Sequence, residues 1–309
     1  MENKELVSVI IPTYNRAHII KRAIKSVLNQ THENLEIIVI DDASTDNTHE
    51  IVGSIRDNRV SYIRHETNKN GSAARNTGMK KARGNYIAFL DSDDIWNEKK
   101  TEQQLDRIKS AGNEYGAVYC SYINYYEDKG VKEFSNKAAN LEGNVRKALL
   151  GGWCPSTTSL FMIRVEARDA GLFFDENLKS FQDHDYWIRV SEKFKFCAVN
   201  NYLVTKYEHA GIQVAKNLVP RIESINTFLD KWHNEIHEYA GKKAFAKFRG
   251  DKIYSVCRAT LVEKKQSLNR EDVNLVFKNI MAIPWYSNLR YFKMFLRSFI
   301  LKLVYLNNP

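Results

Sequence analysis

Four short apolar runs alternate with helix-like stretches through the first hundred residues of this chain. Val7 to Ile11, Glu36 to Ile40, Val60 to Ile63 and Tyr86 to Leu90 are rich in β-branched and aromatic residues, which predicts four strands. Between the first two, Ile20, Ala23, Ile24, Val27 and Leu28 recur at the spacing of one apolar helix face. Ile51, Val52 and Ile55 fit a second helix, with start signals at Ser44 to Asp46, and Ser72 to Ala82 reads as a third. Strands alternating with helices predict an α/β fold, a mostly parallel central sheet flanked by helices. Parallel strands bring their C-terminal ends to one edge, and ligands bind there. Three polar clusters follow the strands to that edge: Pro12-Thr13-Tyr14-Asn15-Arg16, Asp41-Asp42-Ala43-Ser44 and Asp91-Ser92-Asp93-Asp94.

Beyond residue 97 the pattern is mixed. Glu98 to Ala111 and Phe181 to Phe194 read as helices, and Ala117 to Tyr122 and Ser159 to Ile163 as strands. From about 216 onward the chain reads as helical, which divides it into residues 1–215 and a C-terminal region, 216–309. Charge divides the same way. The net charge of +9 lies entirely in 216–309, where 17 Lys and Arg face 8 Asp and Glu. Such a region suits an anionic partner, or simply a solvated helical surface. The four cysteines, Cys120, Cys154, Cys197 and Cys257, are scattered, as reduced cytosolic thiols are. No signal-peptide core and no run of about 18 apolar residues is visible, so a cytoplasmic location without a membrane span is expected.

The chemistry-bearing residues sit at the polar clusters. Asp91, Asp93 and Asp94 crowd within four positions, and crowded carboxylates repel unless a cation or donors compensate. Mn²⁺ or Mg²⁺ suits one or two carboxylates plus substrate phosphates. A solvated acidic turn is the alternative, but the apolar run before Asp91 marks a buried strand end. Asp41 and Asp42 can accept hydrogen bonds from a base or ribose, or cap the following helix. Gly71 to Gly78 brackets a helix start with small residues, and Arg75 within it can meet phosphate or hold an Asp. In Gln182-Asp183-His184-Asp185 a carboxylate can act as general base or as helix cap. His209 is either structural or a metal ligand.

Taken in order, these pieces resemble family 2 glycosyltransferases, whose nucleotide-sugar-binding fold is called GT-A. The resemblance is carried by Val7 to Arg16, Glu36 to Asp46, Ala73 to Gly78 and Tyr86 to Asp94, and extends in weaker form to about 215. It implies a GT-A domain over 1–215 and roles for its residues. Pro12, Thr13, Tyr14, Asn15, Asp42, Arg75 and Ser92 would line the nucleotide site. Asp91 and Asp93 would form the metal-binding D-x-D, joined by His209. Asp183 would be the catalytic base, and Asp94, Trp153, Gln182 and Asp185 would lie on the acceptor side. Gln182 stands where the family commonly has Glu. The implied reaction is single-displacement transfer, inverting at the anomeric carbon, from a nucleotide-diphosphate sugar, a UDP-sugar first, to a hydroxyl of a glycan or lipid-linked glycan in surface polysaccharide synthesis.

Two other classes compete. A catalytically silent nucleotide-sugar-binding or interaction protein of the same fold would be expected to lose the D-x-D or the base, and both are present. A sugar-1-phosphate nucleotidyltransferase would need a glycine- and basic-rich loop where Pro12-Thr13-Tyr14-Asn15 stands. Near the C-terminus, Leu289, Phe292, Phe295, Leu296, Phe299, Ile300 and Leu303 form a helical stripe interleaved with basic residues. Residues 286–309 can therefore lie on the inner face of a membrane, or pack on the catalytic domain or a second subunit in an oligomer. No stacking platform accompanies the charge, so nucleic acid is not an expected partner.

Overall fold

Strand β1 (Val7–Thr13) lies between two parallel neighbours, β2 (Leu35–Asp41) and β4 (Tyr86–Phe89), in a computed structural model of the chain. β3 (Val60–Arg64) extends the parallel set beyond β2. The structure describes residues 5–135, 141–208, 218–239 and 241–263, with isolated positions 274, 277–279, 281 and 293 beyond them. Thr13 is level with Asp41, and Asp41 with Arg64, so the polar strand ends meet in register. Every residue of β2 is buried, as in a sheet covered on both faces. Glu36, the carboxylate at its N-terminal end, accepts hydrogen bonds from the Ser8 hydroxyl at 2.6 Å and the Arg83 backbone at 2.7 Å.

The other half of the sheet is mixed. β8 (Met162–Arg164) runs antiparallel to β4 and to β6 (Tyr115–Tyr126), and β9 (Lys195–Glu208) runs parallel to β6. The two-residue β5 (Ile95–Trp96) pairs with β9, and β7 (Val131–Ser135) pairs with β6. The strand order is β3-β2-β1-β4-β8-β6-β9-β5, with β7 off this path. The strand expected from Ser159 starts later. Thr158–Leu160 is a 3-10 turn, capped by the Thr157 side chain accepting from the Ser159 N–H, and β8 opens at Met162.

Helices α1 (Ile20–Leu28), α2 (Thr48–Gly53), α3 (Gly71–Lys81), α4 (Lys100–Ala111), α6 (Val165–Asp169) and α7 (Gln182–Lys193) surround this sheet. α3 packs onto β1 closely enough that a Cβ at Gly78 would stand 2.4 Å from Ile10 Cγ2. α7 is anchored by rings. Trp187 stacks on Phe161 at 3.6 Å, Tyr186 stacks on Phe174 at 4.0 Å, and Phe89 of β4 meets Phe174 edge-on. Those contacts hold the first turn of α7 at a fixed height over the end of β4.

Contacts divide the chain into two compact units. The first, Met1–Arg146, Cys154–Asn177 and Gln182–Ala210, holds the whole sheet. The second comprises Lys147–Trp153, Leu178–Phe181 and Gly211–Pro309. It contains most of α5 (Arg146–Leu150), with α8 (Leu218–Lys231), α9 (His233–Tyr239) and α10 (Gly241–Glu263). Its core is built from Leu149, Leu150, Ile225, Phe228, Ile236 and Phe248. Among the described residues no helix is long and apolar enough to cross a membrane.

Candidate active site

The loops after β1 and β2 are sewn to each other. The Asn15 N–H donates to Ser44 Oγ at 2.8 Å, and Asn15 Oδ1 accepts from the Thr45 N–H at 2.7 Å. Asn15 and Ala43 hold left-handed backbone, with φ of 53° and 66°. Asn tolerates this region, whereas Ala43 is strained in it. Pro12 is half-buried within β1, the Thr13 hydroxyl is buried with no hydrogen-bond partner, and Tyr14 is 44% exposed at the mouth of the loop. A buried hydroxyl without a partner leaves a hydrogen bond open to a ligand's polar atom.

Asp41 and Asp42 are both turned into the protein. Asp41 accepts from the Ser44 N–H at 2.8 Å and from the Tyr62 hydroxyl. Asp42 accepts the Lys69 and Asn70 N–H groups at 2.9 and 2.8 Å and bonds His65 Nδ1 at 2.7 Å. His65 Nε2 reaches Thr77 Oγ1 at 2.9 Å. Asp42 thereby sets the loop before α3, where Asn70 caps the helix by accepting from the Ser72 and Ala73 N–H groups.

Arg75, on the first turns of α3, joins the elements of the site. Its guanidinium donates to Asp91 Oδ1 at 2.6 Å and lies 5.5 Å from the centre of the Phe174 ring. Asp91 also accepts from the hydroxyls of Thr157, at 2.7 Å, and Thr158, at 3.1 Å. Burial pushes Asp91 up, but Arg75 and these hydroxyls outweigh it and hold the carboxyl below the usual range. Burial would likewise lower Arg75, and Asp91, Asp183 and Asp93 keep it charged. Asp94 is fully enclosed and accepts from the Ser159 hydroxyl at 2.6 Å. Burial first, then the charges of Asp93 and Asp91, raise it well above an ordinary carboxyl. Ser92 is buried between them, and Asp93 is half-exposed.

Asp183 enters this field from the first turn of α7. Burial, with Asp91 adding to it, pushes its carboxyl up to about 6, while Arg75 and Lys206 pull it down. Four carboxylates thus act on one another across the end of β4, with Arg75 and Lys206 as counter-charges. Gln182 is half-buried beside Gly71. Asp185 has no exposed surface and is paired with Arg189 at 2.8 Å, one turn along α7. Trp153 belongs to the second unit, where it lines a cavity with Phe248, Asp251 and Lys252. His209 and nearly all of 286–309 lie outside the described residues.

Sequence reasoning missed the hydroxyls of Thr157, Thr158 and Ser159, which hold the D-x-D, and it missed Lys206. The run of four hydroxyl residues, Ser156 to Ser159, ahead of a strand was the available signal. Among the described residues no three His, Cys, Asp or Glu side chains converge as a ready-made metal site. The donor set nevertheless fits a divalent cation. Mutually repelling carboxylates at a strand end, one of them half-exposed, are what a cation relieves, with phosphate oxygens completing its shell.

Known proteins match this layout. The Rickettsia bellii relative, an uncharacterised glycosyltransferase, is 39% identical over 188 residues, 60% of this chain and 26% of that protein, so the chain spans about a quarter of its length. The Rickettsia prowazekii relative RP339 is 31% identical over 242 residues, 76% of this chain and 69% of that protein. The Escherichia coli UDP-Glc:alpha-D-GlcNAc-diphosphoundecaprenol beta-1,3-glucosyltransferase WfaP is 43% identical over 125 residues, 40% of this chain and 48% of that protein. Among solved structures, S. aureus TarS 1–349 in complex with UDP-GlcNAc aligns with a TM-score of 0.68 at 20% identity, over 94% of this chain and 88% of that one. The Pyrobaculum calidifontis mannosyltransferase PcManGT with GDP-Man and Mn²⁺ aligns at 0.61 and 16% identity, over 98% and 88%. These likenesses establish the GT-A fold. The model of the family described as "Glycosyl transferase family 2" matches residues 8–169, more than half of the chain. This chain belongs to glycosyltransferase family 2.

Proposed function

We propose that this protein is an inverting glycosyltransferase that moves a sugar from a nucleotide diphosphate, a UDP-sugar, to a hydroxyl of a lipid-linked glycan during surface polysaccharide synthesis. One observation carries the reading: Arg75, bonded to Asp91 of the D-x-D at 2.6 Å, also lies in the field of Asp93 and of Asp183. A base and a diphosphate-handling end therefore share one small volume. The E. coli relatives WfaP and WfgD, whose names specify UDP-Glc and a diphosphoundecaprenol-linked acceptor, support the choice of donor and acceptor.

In this reading Asp183 accepts the acceptor hydroxyl proton as the oxygen attacks the anomeric carbon. Attack opposite the leaving diphosphate inverts the configuration. Asp93, with Asp91 beside it, would hold Mn²⁺ or Mg²⁺, which supplies positive charge against the departing diphosphate. Arg75, held by Asp91, keeps that end of the site cationic. Thr13, Tyr14 and Asn15 line the nucleoside side, and Asp42 acts there through the 69–70 backbone it secures.

Thermal shift with UDP, GDP, dTDP and CDP, with and without Mn²⁺, tests the donor reading. Metal-dependent stabilisation by UDP above the others is expected, and it should vanish in Asp93→Ala. Stabilisation by none of the four in a folded sample contradicts the reading.

A further inference from the structure

Outside the carboxylate cluster, the first unit carries a cavity of about 600 Å³ along α1, between that helix and β5. Its lining is of two kinds. His18, Lys21, Arg22 and Lys25 supply cationic or ionisable groups, and Ile19, Ile95 and Trp96 supply apolar surface. Glu98 is its acidic member. Helix geometry places three of these charges, since Lys21 and Lys25 stand one turn apart on α1 with Arg22 beside them, and His18 lies in the turn that leads into the helix. Lys21 and Lys25 are exposed, and neither forms an ion pair among the described residues.

The groove is built rather than incidental. Ser26 Oγ accepts the Trp96 N–H at 3.2 Å, and Gln30 Nε2 donates to the Asn97 carbonyl at 2.8 Å, so α1 and β5 are fixed to each other. Lys100 lies 3.7 Å from the centre of the Trp96 ring and, with no exposed surface, backs it. The groove also touches the reaction site. Arg22 donates to the Asp93 backbone carbonyl at 3.3 Å, while its guanidinium covers the Tyr207 ring at 3.6 Å and meets Glu127 at 3.7 Å. A ligand lying along α1 would end beside the D-x-D backbone.

An apolar floor under a basic rim is complementary to an anionic amphiphile. We infer that this groove binds the diphosphate of a lipid-linked acceptor, with Lys21 and Lys25 meeting the phosphate oxygens and Ile19 and Ile95 the first carbons of the lipid. The inference rests on the acceptor class proposed above. It adds an acceptor-recognition site on α1, separate from the base and the donor pocket.

The test is calorimetric titration of the full chain, with UDP and Mn²⁺ saturating, by a short prenyl diphosphate, the matching prenyl alcohol and inorganic diphosphate. The prenyl diphosphate should bind, the alcohol and inorganic diphosphate more weakly. Lys21→Ala/Lys25→Ala should weaken prenyl diphosphate binding at least about tenfold, the scale of one lost charge-assisted contact. The same variant should raise KM for a diphosphate-linked acceptor and leave KM for a phosphate-free glycoside of the same sugar unchanged. Equal binding by wild type and variant overturns the inference. So does variant loss confined to cosedimentation with phosphatidylglycerol vesicles, which would assign the groove to a membrane headgroup. Wild-type failure to transfer to either acceptor would instead count against the enzymatic reading, and the titration still decides the groove.

Discussion

A carboxyl group serves as a base only when it is ionised at the working pH, and its environment sets that point. Asp183 is raised to about 6, by burial first and by Asp91 second, which makes it a stronger base that remains ionised at neutral pH. Its protonated form dominates below that value, so kcat/KM is expected to fall about tenfold per pH unit below pH 6. A pH–rate profile flat from 7 to 4.5 would remove Asp183 from the role. At this scale the site was partly legible. Asp91, Asp93 and Asp183 stand at predicted element ends, where polar residues after apolar runs are conspicuous. Thr157 and Ser159 were not legible as their partners, because two hydroxyl residues some 65 positions downstream carry no periodic signal. Asp185 reads as a site residue by adjacency alone. The rotation of α7 buries it, and only the i, i+4 spacing to Arg189 hinted at that.

At the scale of elements, the site depends on α3 lying flat on β1, since α3 carries Arg75 to Asp91. Gly78 permits that approach. Gly78→Ala puts a methyl 2.4 Å from Ile10 Cγ2, inside contact distance, and is expected to cost about 1–3 kcal/mol. Chemical denaturation checks this, and an unchanged midpoint would mean that the helix can shift freely. The parallel half of the sheet was readable because its strands are continuous apolar runs. β9 was not, because Asn200 and Asn201 interrupt its apolar run where its register against β6 shifts. β5 is two residues long, and only its pairing with β9 defines it.

For the whole molecule, stability carries a signature from a buried amine that the proposed reaction does not use. Lys100 has no exposed surface, and burial lowers it to about 7 from 10.5, opposed by Cys120. Its folded pKa lies below its unfolded one, so between those values the unfolded chain holds the extra proton and stability rises with pH. The thiols of Cys120 and Cys197, raised by burial to about 11 and 12 from 9.0, reverse the trend above pH 9. Tm should therefore climb from pH 7 to 9 in the wild type and climb less in Lys100→Met; parallel profiles would contradict the assignment. The fold class was visible in the sequence because alternation fixes it, whereas the identity of the transferred sugar is written in loop shape. Single-displacement transfer with Asp183 as base fixes the stereochemistry of the product. NMR of the product formed from an α-linked UDP-sugar and a GlcNAc-diphosphate lipid tests it most directly. A β-linked product from the wild type, and none from Asp183→Asn that still binds UDP, is the predicted result. An α-linked product, or normal turnover by Asp183→Asn, would contradict it.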